Sequence, residues 1–278
     1  MSAPSLKSYV DVATRAALAA GSLLARSVGK PRTVDTKRHA IDLVTEVDRA
    51  AEQLIYRVLH RAYPQIGFFG EEHGHRDASS PSRWIVDPID GTMNFVHGLP
   101  LFGISIGLEH NSAILVGVIY DPLRRELFVA TQGGGAYLNG KRIHVSPTRR
   151  LSHSLLSTGF SSSFLKQTQP YLGWFEAFQR RSHGVRRIGS TVFCLASVAA
   201  GRLDGFYEQD LWPWDIAAGL LLVREAGGRV SNFEGNTVVL GAGELVASNG
   251  QIHHQMLQVI RRVLRRGGTT GQRRRPSR

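Results

Sequence analysis

The run Trp84-Ile85-Val86-Asp87-Pro88-Ile89-Asp90-Gly91-Thr92-Met93-Asn94-Phe95 sets two carboxylates three residues apart, directly after an apolar stretch. Pro88 disfavours helix at the residue before it, so a strand is expected to end at Asp87 with the carboxylate at its tip. Gly91 permits a sharp turn, and Thr92 suits the opening of a short helix. Carboxylates on such a turn can converge on one point. Ligands that are all oxygen favour hard cations, and magnesium is the natural occupant. The free N–H groups at the helix start would suit a phosphate. Taken alone, the same run also fits a capped turn with no ligand.

Three other acidic points accompany it. Gly70-Glu71-Glu72 follows the apolar strand Ile66 to Phe69, where a solvated rim is the plainer reading. Asp215, in Trp212-Pro213-Trp214-Asp215-Ile216-Ala217-Ala218-Gly219, stands where the N-cap of a long helix belongs. Asp48, ending Asp42-Leu43-Val44-Thr45-Glu46-Val47-Asp48, stands at the start of another helix, where a cap alone would also explain it. Four acidic signals, each at the end of an element, are harder to explain one by one. Metal sites are built from rigid elements whose ends converge.

The elements that would position them follow from periodicity. A first helix is expected over Pro4 to Ser27, with Val10, Ala13, Ala17 and Leu24 on one side, and Gly29-Lys30-Pro31 breaks it. A polar stretch through Lys37 leads to a second helix, from about Asp48 to His60, carrying Ala51, Leu54, Ile55, Val58 and Leu59 as its stripe. Strands at Ile66–Phe69 and Trp84–Val86 flank a polar loop from His73 to Ser82. Leu101 to Val145 reads as an antiparallel meander with turns at Asp121-Pro122 and Asn139-Gly140. Beyond Ser146 to Ser152, strand and helix alternate. Strands are expected at Leu155–Thr158, Val185–Ile188, Gly205–Glu208, Arg229–Ser231 and Glu244–Ser248. Helices are expected around Leu165–Arg180, Ser190–Ala200 and Asp215–Ala226, with a last one ending near Arg265. Helices packed on the faces of a sheet follow from that alternation. The expected division is an N-terminal α+β subdomain with the metal-binding loops (1–148), a C-terminal α/β subdomain completing the site (149–265), and a basic, disordered tail (266–278).

The totals bound the function class. The chain has 278 residues, 42% hydrophobic and 20% charged, which is the range of soluble globular proteins. No stretch approaches the roughly 18–20 apolar residues that span a bilayer. No signal peptide is evident, so a cytoplasmic protein without a membrane partner is expected. Cys194, the only cysteine, lies in an apolar run and reads as a buried structural thiol. The net charge of +12 is uneven: eight arginines lie between Arg261 and Arg278, and the rest of the chain has 26 basic against 22 acidic residues. Nucleic acid or an acidic partner is therefore expected, if anywhere, at the Arg-rich C-terminus. His39, His73, His75, His97 and His110 share no metal-ligand spacing on one helix, so zinc is not expected. His73 and His75 read as loop residues, Gly133-Gly134-Gly135 as a turn, and Trp174 and Phe178 as core.

The acidic segments together resemble the inositol monophosphatase family, part of the magnesium-dependent, lithium-sensitive phosphatase superfamily. The family's core signature is similar to Trp84–Phe95, its Gly-Glu-Glu element to Gly70–Glu72, its C-terminal element to Trp214–Gly219, and its N-terminal element to Asp42–Asp48. Order and spacing agree over about residues 5 to 262. The resemblance implies a layered α/β (α+β) sandwich of alternating helix and sheet, as in fructose bisphosphatases, and a homodimer. It implies that Glu71, Asp87, the Ile89 carbonyl, Asp90 and Asp215 hold Mg2+, with Glu71 counted among the catalytic residues. Thr92 and Asp48 would orient and help deprotonate the attacking water. Gly91 and Thr92 would contact the phosphate, and Ile89, Asp90 and Asp215 would lie against the substrate. Gly189, Ser190, Thr191 and Glu208 would line its polyol side, Lys37 would lie in a loop near the metals, and Glu72 would support the ligands from behind.

The implied activity is hydrolysis of inositol 1-phosphate or a related small sugar or polyol phosphate. Direct displacement by water is expected, since no Cys, His or Ser has an evident partner for covalent catalysis. Asn94-Phe95-Val96-His97-Gly98 resembles the inositol type. Two departures fall on the substrate side. Ser190-Thr191-Val192-Phe193 stands where relatives often have small or apolar residues, and Asp210 stands where many have Gly. Fructose 1,6-bisphosphate, 3′-phosphoadenosine 5′-phosphate, histidinol phosphate and NADP therefore stay open as substrates. A rival from another class is an RNA- or protein-binding factor using the Arg tail on a degenerate phosphatase fold, although every expected metal ligand is present.

Overall fold

Small and apolar residues at helical spacing give the first helix its buried face. In the computed structural model, which describes residues 5–30, 34–36, 43–76, 80–166 and 168–270, Ala13, Ala16, Ala17, Ala20 and Leu24 line the inner side of α1 (Leu6–Ser27). Lys37, His39, Asp42 and the arginines after Thr270 lie outside the described residues. Two short antiparallel strands, β1 (Val34–Thr36) and β2 (Leu43–Thr45), precede α2 (Glu46–Ala62). Three residues are too few for alternation to show, and the sequence reads there only as a polar stretch.

One sheet of eight strands follows. It contains β3 (Gly67–Gly70), β4 (Gly74–Arg76), β5 (Ser82–Asp90), β6 (Gly103–His110), β7 (Ala113–Asp121), β8 (Glu126–Thr131), β9 (Gly135–Leu138) and β10 (Lys141–Arg142). The short helix α3 (Thr92–Val96) interrupts the run between β5 and β6. Neighbours from β5 to β10 are antiparallel, as the meander predicted, and β3 joins β5 in parallel. β4 lies inside the segment expected to be a loop; it is a short edge strand held only by β3.

The rest builds a five-stranded sheet with helices on both faces. Its elements are β11 (Leu155–Thr158), α4 (Thr168–Gln179), β12 (Gly184–Arg187), α5 (Thr191–Ala199), β13 (Gly205–Glu208), α6 (Pro213–Glu225), β14 (Arg229–Ser231), β15 (Leu245–Ser248) and α7 (His253–Thr270). The strand order is β12-β11-β13-β15-β14, with β11 parallel to β12 and β13, and β15 antiparallel to β13 and β14. α7 runs on to Thr270, past the end expected near Arg265.

Side-chain alternation assembles the layers. On β6, Ile104, Ile106 and Leu108 join the core formed with α1 and α2. The opposite face turns to α6: the Ser105 hydroxyl donates to the Trp214 carbonyl at 3.2 Å, and a Cβ on Gly107 would stand 2.9 Å from that of Ala217. Glycine there lets the helix lie close on the sheet. On the second sheet, Phe206, Leu245 and Ala247 face the core of α5 and α6, while Leu156, Tyr207 and Val246 face Trp174, Phe178, Leu257 and Ile260 of α4 and α7. Removing one such side chain, as in Phe178→Ala, would cost about 3–5 kcal/mol. The result is the expected sandwich: α1/α2, eight-stranded sheet, α5/α6, five-stranded sheet, α4/α7. Cys194 is buried in the central layer. Among the described residues, no helix is long and apolar enough to cross a membrane.

Candidate active site

Residues three apart on a regular strand point to opposite faces. Asp87 and Asp90 nevertheless share one site, because β5 does not end at Asp87 as Pro88 suggested. It continues to Asp90 with an irregularity between them: Asp87 stands opposite Ser105 and Asp90 opposite Gly103, so three steps on β5 match two on β6. One extra residue at Pro88-Ile89 forms a bulge and restores the parity, turning both carboxylates toward the α5/α6 layer. Proline, which has no ladder N–H to lose, is suited to that position. Asp87 is 2% exposed and Asp90 9%. Asp87 Oδ1 accepts the Ile89 N–H at 2.9 Å, closing the bulge on itself.

The chain then turns at Gly91, with φ at 90°, before α3. A side chain would be strained there and would also crowd the Leu101 carbonyl, 2.9 Å from an added Cβ. Asn94 Nδ2 donates to the carbonyls of Leu101 at 2.7 Å and Ile188 at 2.9 Å, tying the turn to the start of α5.

Three helix N-termini converge here, and each holds its carboxylate through the helix start. Asp48 is not the cap of α2: Thr45 is, and Asp48 lies one turn in. Asp48 Oδ2 accepts from the Thr45 N–H at 2.8 Å and the Thr45 hydroxyl at 2.5 Å, while Oδ1 accepts from the Thr92 hydroxyl at 3.2 Å. The Thr92 hydroxyl also reaches the Ile89 carbonyl, at 2.9 Å. Asp215 likewise lies one turn into α6, behind Trp212 and Pro213, and Asp215 Oδ2 accepts the Trp212 N–H at 2.7 Å. Acids in a first turn satisfy free N–H groups and favour the helix dipole, so the same placement serves folding and site. At α5 the cap is Ser190, whose oxygen accepts the Phe193 N–H at 3.1 Å. Its hydroxyl hydrogen goes to Asp90 Oδ2, which also takes the Val192 N–H at 2.9 Å.

Asp87, Asp90 and Asp215 come together with one carboxylate oxygen each, all within 4.8 Å of one another. This is an oxygen-only donor set at the meeting of two strand and helix ends, and it fits a hard divalent cation. Proton affinities carry the same message. Burial pushes Asp90 up to about 6. Burial, then the charges of Asp90 and Glu71, hold Asp215 well above the usual carboxylate range. Crowded, buried carboxyls either keep protons or take a cation. Glu71 is near enough to act on Asp215 through its charge, but its carboxylate is not one of the close trio.

Beside the trio opens a cavity of about 130 Å3 whose lining includes Asp90, Gly189, Ser190, Thr191, Glu208 and Arg187. The expected polyol-side residues are therefore gathered there, although the Ser190 hydroxyl is turned to Asp90. Glu208 Oε2 accepts from the Thr191 hydroxyl at 3.2 Å. Burial, then the Asp90 charge, pushes Glu208 up to about 8, against a lowering by Arg187. Arg187 and Phe160, both cavity residues, are absent from the sequence-based set. Asp210 takes a left-handed backbone, φ 62°, a conformation that glycine adopts without strain. Its Oδ2 is held by the hydroxyls of Tyr171 at 2.5 Å and Ser161 at 2.9 Å, next to Phe160.

Sequence reasoning also passed over Glu52. It is 1% exposed on α2, and its carboxylate accepts the N–H groups of Glu72 at 2.8 Å and His73 at 3.0 Å, with the His73 ring Nδ1 at 2.5 Å. It clamps the loop that carries Glu71. His73 is thus paired rather than a bare loop residue. The available signal was an acid set beside Ala51 on a helix stripe otherwise apolar.

Comparison with known proteins gives a consistent frame. The model of the inositol monophosphatase family matches residues 5–265. A protein of Pseudomonas aeruginosa named Nus factor SuhB is 41% identical over 261 residues, covering 92% of this chain and 96% of that one. A Synechocystis inositol-1-monophosphatase is 41% identical over 256 residues, covering 92% and 89%. The crystal structure of the extragenic suppressor protein SuhB of Bartonella henselae superposes with a TM-score of 0.86 at 40% identity, covering 91% of this chain and 98% of that one.

Proposed function

The chain belongs to the inositol monophosphatase family, and from that premise we propose that it is a magnesium-dependent phosphomonoesterase for inositol 1-phosphate or a related small polyol phosphate. The observation that carries the reading is the convergence of Asp87, Asp90 and Asp215 within 4.8 Å. With the Glu71 carboxylate and the Ile89 carbonyl, these atoms would hold magnesium. When bound, magnesium supplies Lewis-acid polarisation of the phosphoryl group and offsets its charge.

The remaining steps belong to the chain's own residues. The Thr92 hydroxyl orients the attacking water, and Asp48, hydrogen-bonded to Thr92 at 3.2 Å, receives the proton. Thr45 keeps Asp48 Oδ2 occupied, so only Oδ1 faces Thr92. The N–H groups of Gly91 and Thr92 take phosphoryl oxygens. On the polyol side, Glu208 accepts a substrate hydroxyl and Thr191 holds Glu208 in place. Attack is direct, with no covalent enzyme intermediate. A homodimer and a cytoplasmic location go with this reading.

A second reading, a role beside transcription, is supported by the relative named a Nus factor. Identity does not separate the two, since that relative and the Synechocystis inositol-1-monophosphatase are both 41% identical.

The test is phosphate release from inositol 1-phosphate with magnesium, with EDTA, and in Asp90→Asn, beside fructose 1,6-bisphosphate and 3′-phosphoadenosine 5′-phosphate. Magnesium-dependent turnover, highest on inositol 1-phosphate and lost in the variant, is expected. A folded, magnesium-loaded protein inert on all three would overturn the proposal.

A further inference from the structure

The outer helical layer carries a second charged feature, unrelated to the acidic site. α7, the end of α4 and the loop before β11 enclose an open groove of about 980 Å3, lined by Arg150, Arg181, Arg261, Arg262 and Arg265, with no carboxylate among its lining residues. All five arginines are exposed. On α7, His254, Gln258, Arg261, Arg262 and Arg265 recur at helical spacing and form one polar stripe.

The groove is preformed. Gln255 accepts the Leu151 N–H at 3.0 Å and donates to the Arg149 carbonyl at 3.0 Å, fixing the Arg150 loop against α7. Arg181 donates to the Ala177 carbonyl at 2.8 Å and Arg261 to the Glu234 carbonyl, so both are oriented by neutral partners that leave the positive charge in place. The apolar lining residues, Leu151 and Val259, are buried beneath this surface. Among the lining residues, no exposed apolar anchor is offered to a lipid surface or an amphipathic peptide.

We propose that this groove binds single-stranded RNA through its phosphodiester backbone. Several planar guanidinium forks along one groove match a run of phosphates. His254 and Gln258, hydrogen-bonded to each other at 3.0 Å, stand between them as partners for sugar hydroxyls and base edges. The chain continues past Thr270 with Arg273, Arg274, Arg275 and Arg278, which extend the basic character.

The test is fluorescence anisotropy of a labelled, unstructured RNA of about 12 nucleotides with the full-length protein over a salt series. Each neutralised phosphate contributes about −0.7 to the slope of log K against log salt, so Arg150→Ala/Arg181→Ala/Arg262→Ala should flatten that slope by about 2. The same triple variant should lose at least about 10-fold in affinity at low salt, while keeping its fold and its phosphate release. If that variant is unstable, the pair Arg181→Gln and Arg262→Gln should flatten the slope by about 1.4. A full-length variant with Arg273, Arg274, Arg275 and Arg278 changed to Gln should keep most of the affinity. The proposal fails if the groove variants bind as the wild type does while the tail variant loses the RNA. It also fails if polyglutamate of equal charge binds more tightly than RNA, which would assign the groove to an acidic protein partner.

Discussion

The acidic site and the basic groove handle like charges in opposite ways. Asp87, Asp90 and Asp215 are gathered between the two sheets, with Asp87 and Asp90 nearly closed off from water. In a low-dielectric interior their repulsion is costly, so proton affinity rises and a cation is called for. The five groove arginines stand in solvent on the outer layer, where water and salt screen their repulsion. No carboxylate is among the residues that line the groove with them. Burial thus makes the first cluster a demand for a specific ion, and exposure makes the second a general attraction for phosphate.

The sharpest break of this contrast is Asp90→Asn. Phosphate release should fall by about 1,000-fold, the upper range for losing one electrostatic contact at a reacting centre. RNA affinity of the same variant should be unchanged, as measured by anisotropy. Next in size is Glu52→Gln, which weakens the clamp on the Glu71 loop without touching the trio. Support of this kind is worth about 10–100-fold in metal affinity or activity, so the magnesium concentration for half-maximal turnover should rise by about 10-fold.

A pH series sets a buried group of the acidic site against a buried group of the outer layer, with opposite signs. Glu208 titrates near about 8 when folded against an ordinary 4.5, so between these values the folded chain keeps a proton that the unfolded chain has released. Stability of the EDTA-treated protein should therefore rise as pH falls through about 8. His253 acts oppositely. It is buried between the Ser231 and Ser248 hydroxyls, and burial pushes it down to about 4 from 6.5. The unfolded chain takes up a proton in that window and the folded chain does not, so stability is lost as pH falls from 6.5 toward 4. The two slopes cancel where the windows overlap, between 4.5 and 6.5, so from these two groups thermal melts without metal should rise as pH falls from about 8 to 6.5 and level off below it, and magnesium should lift the alkaline side selectively. The smallest effect is expected from Thr45→Val, which removes the side-chain half of the α2 cap and should cost about 1 kcal/mol in denaturant melts. Asp48 Oδ2 would keep the Thr45 N–H and lose the hydroxyl, which should lower turnover modestly.

Much of this was legible in the sequence, for identifiable reasons. Long periodic stripes gave α1 and α2, and alternation gave the meander, because burial on one face leaves a repeat in the chain. The acidic segments were visible because each sits at an element end, three of the four near Gly or Pro. Their exact roles in the helix starts were not: Asp48 and Asp215 look like caps until Thr45 and Trp212 are seen one turn earlier. The bulge at Pro88-Ile89 depends on the register with β6, which no local pattern encodes. Glu52, Phe160 and Arg187 reach the site only through tertiary packing. The groove was visible in part, as an excess of arginine, but Arg150 and Arg181 join it only once α4 and α7 pack together.

The central claim is that Asp87, Asp90 and Asp215 hold the divalent cation on which phosphate release depends. Anomalous diffraction from crystals grown with manganese in place of magnesium tests it most directly. The account predicts a manganese peak coordinated by oxygens of all three carboxylates, absent in Asp90→Asn crystals. Ordered manganese elsewhere, with none among these three residues in crystals of active enzyme, would contradict it.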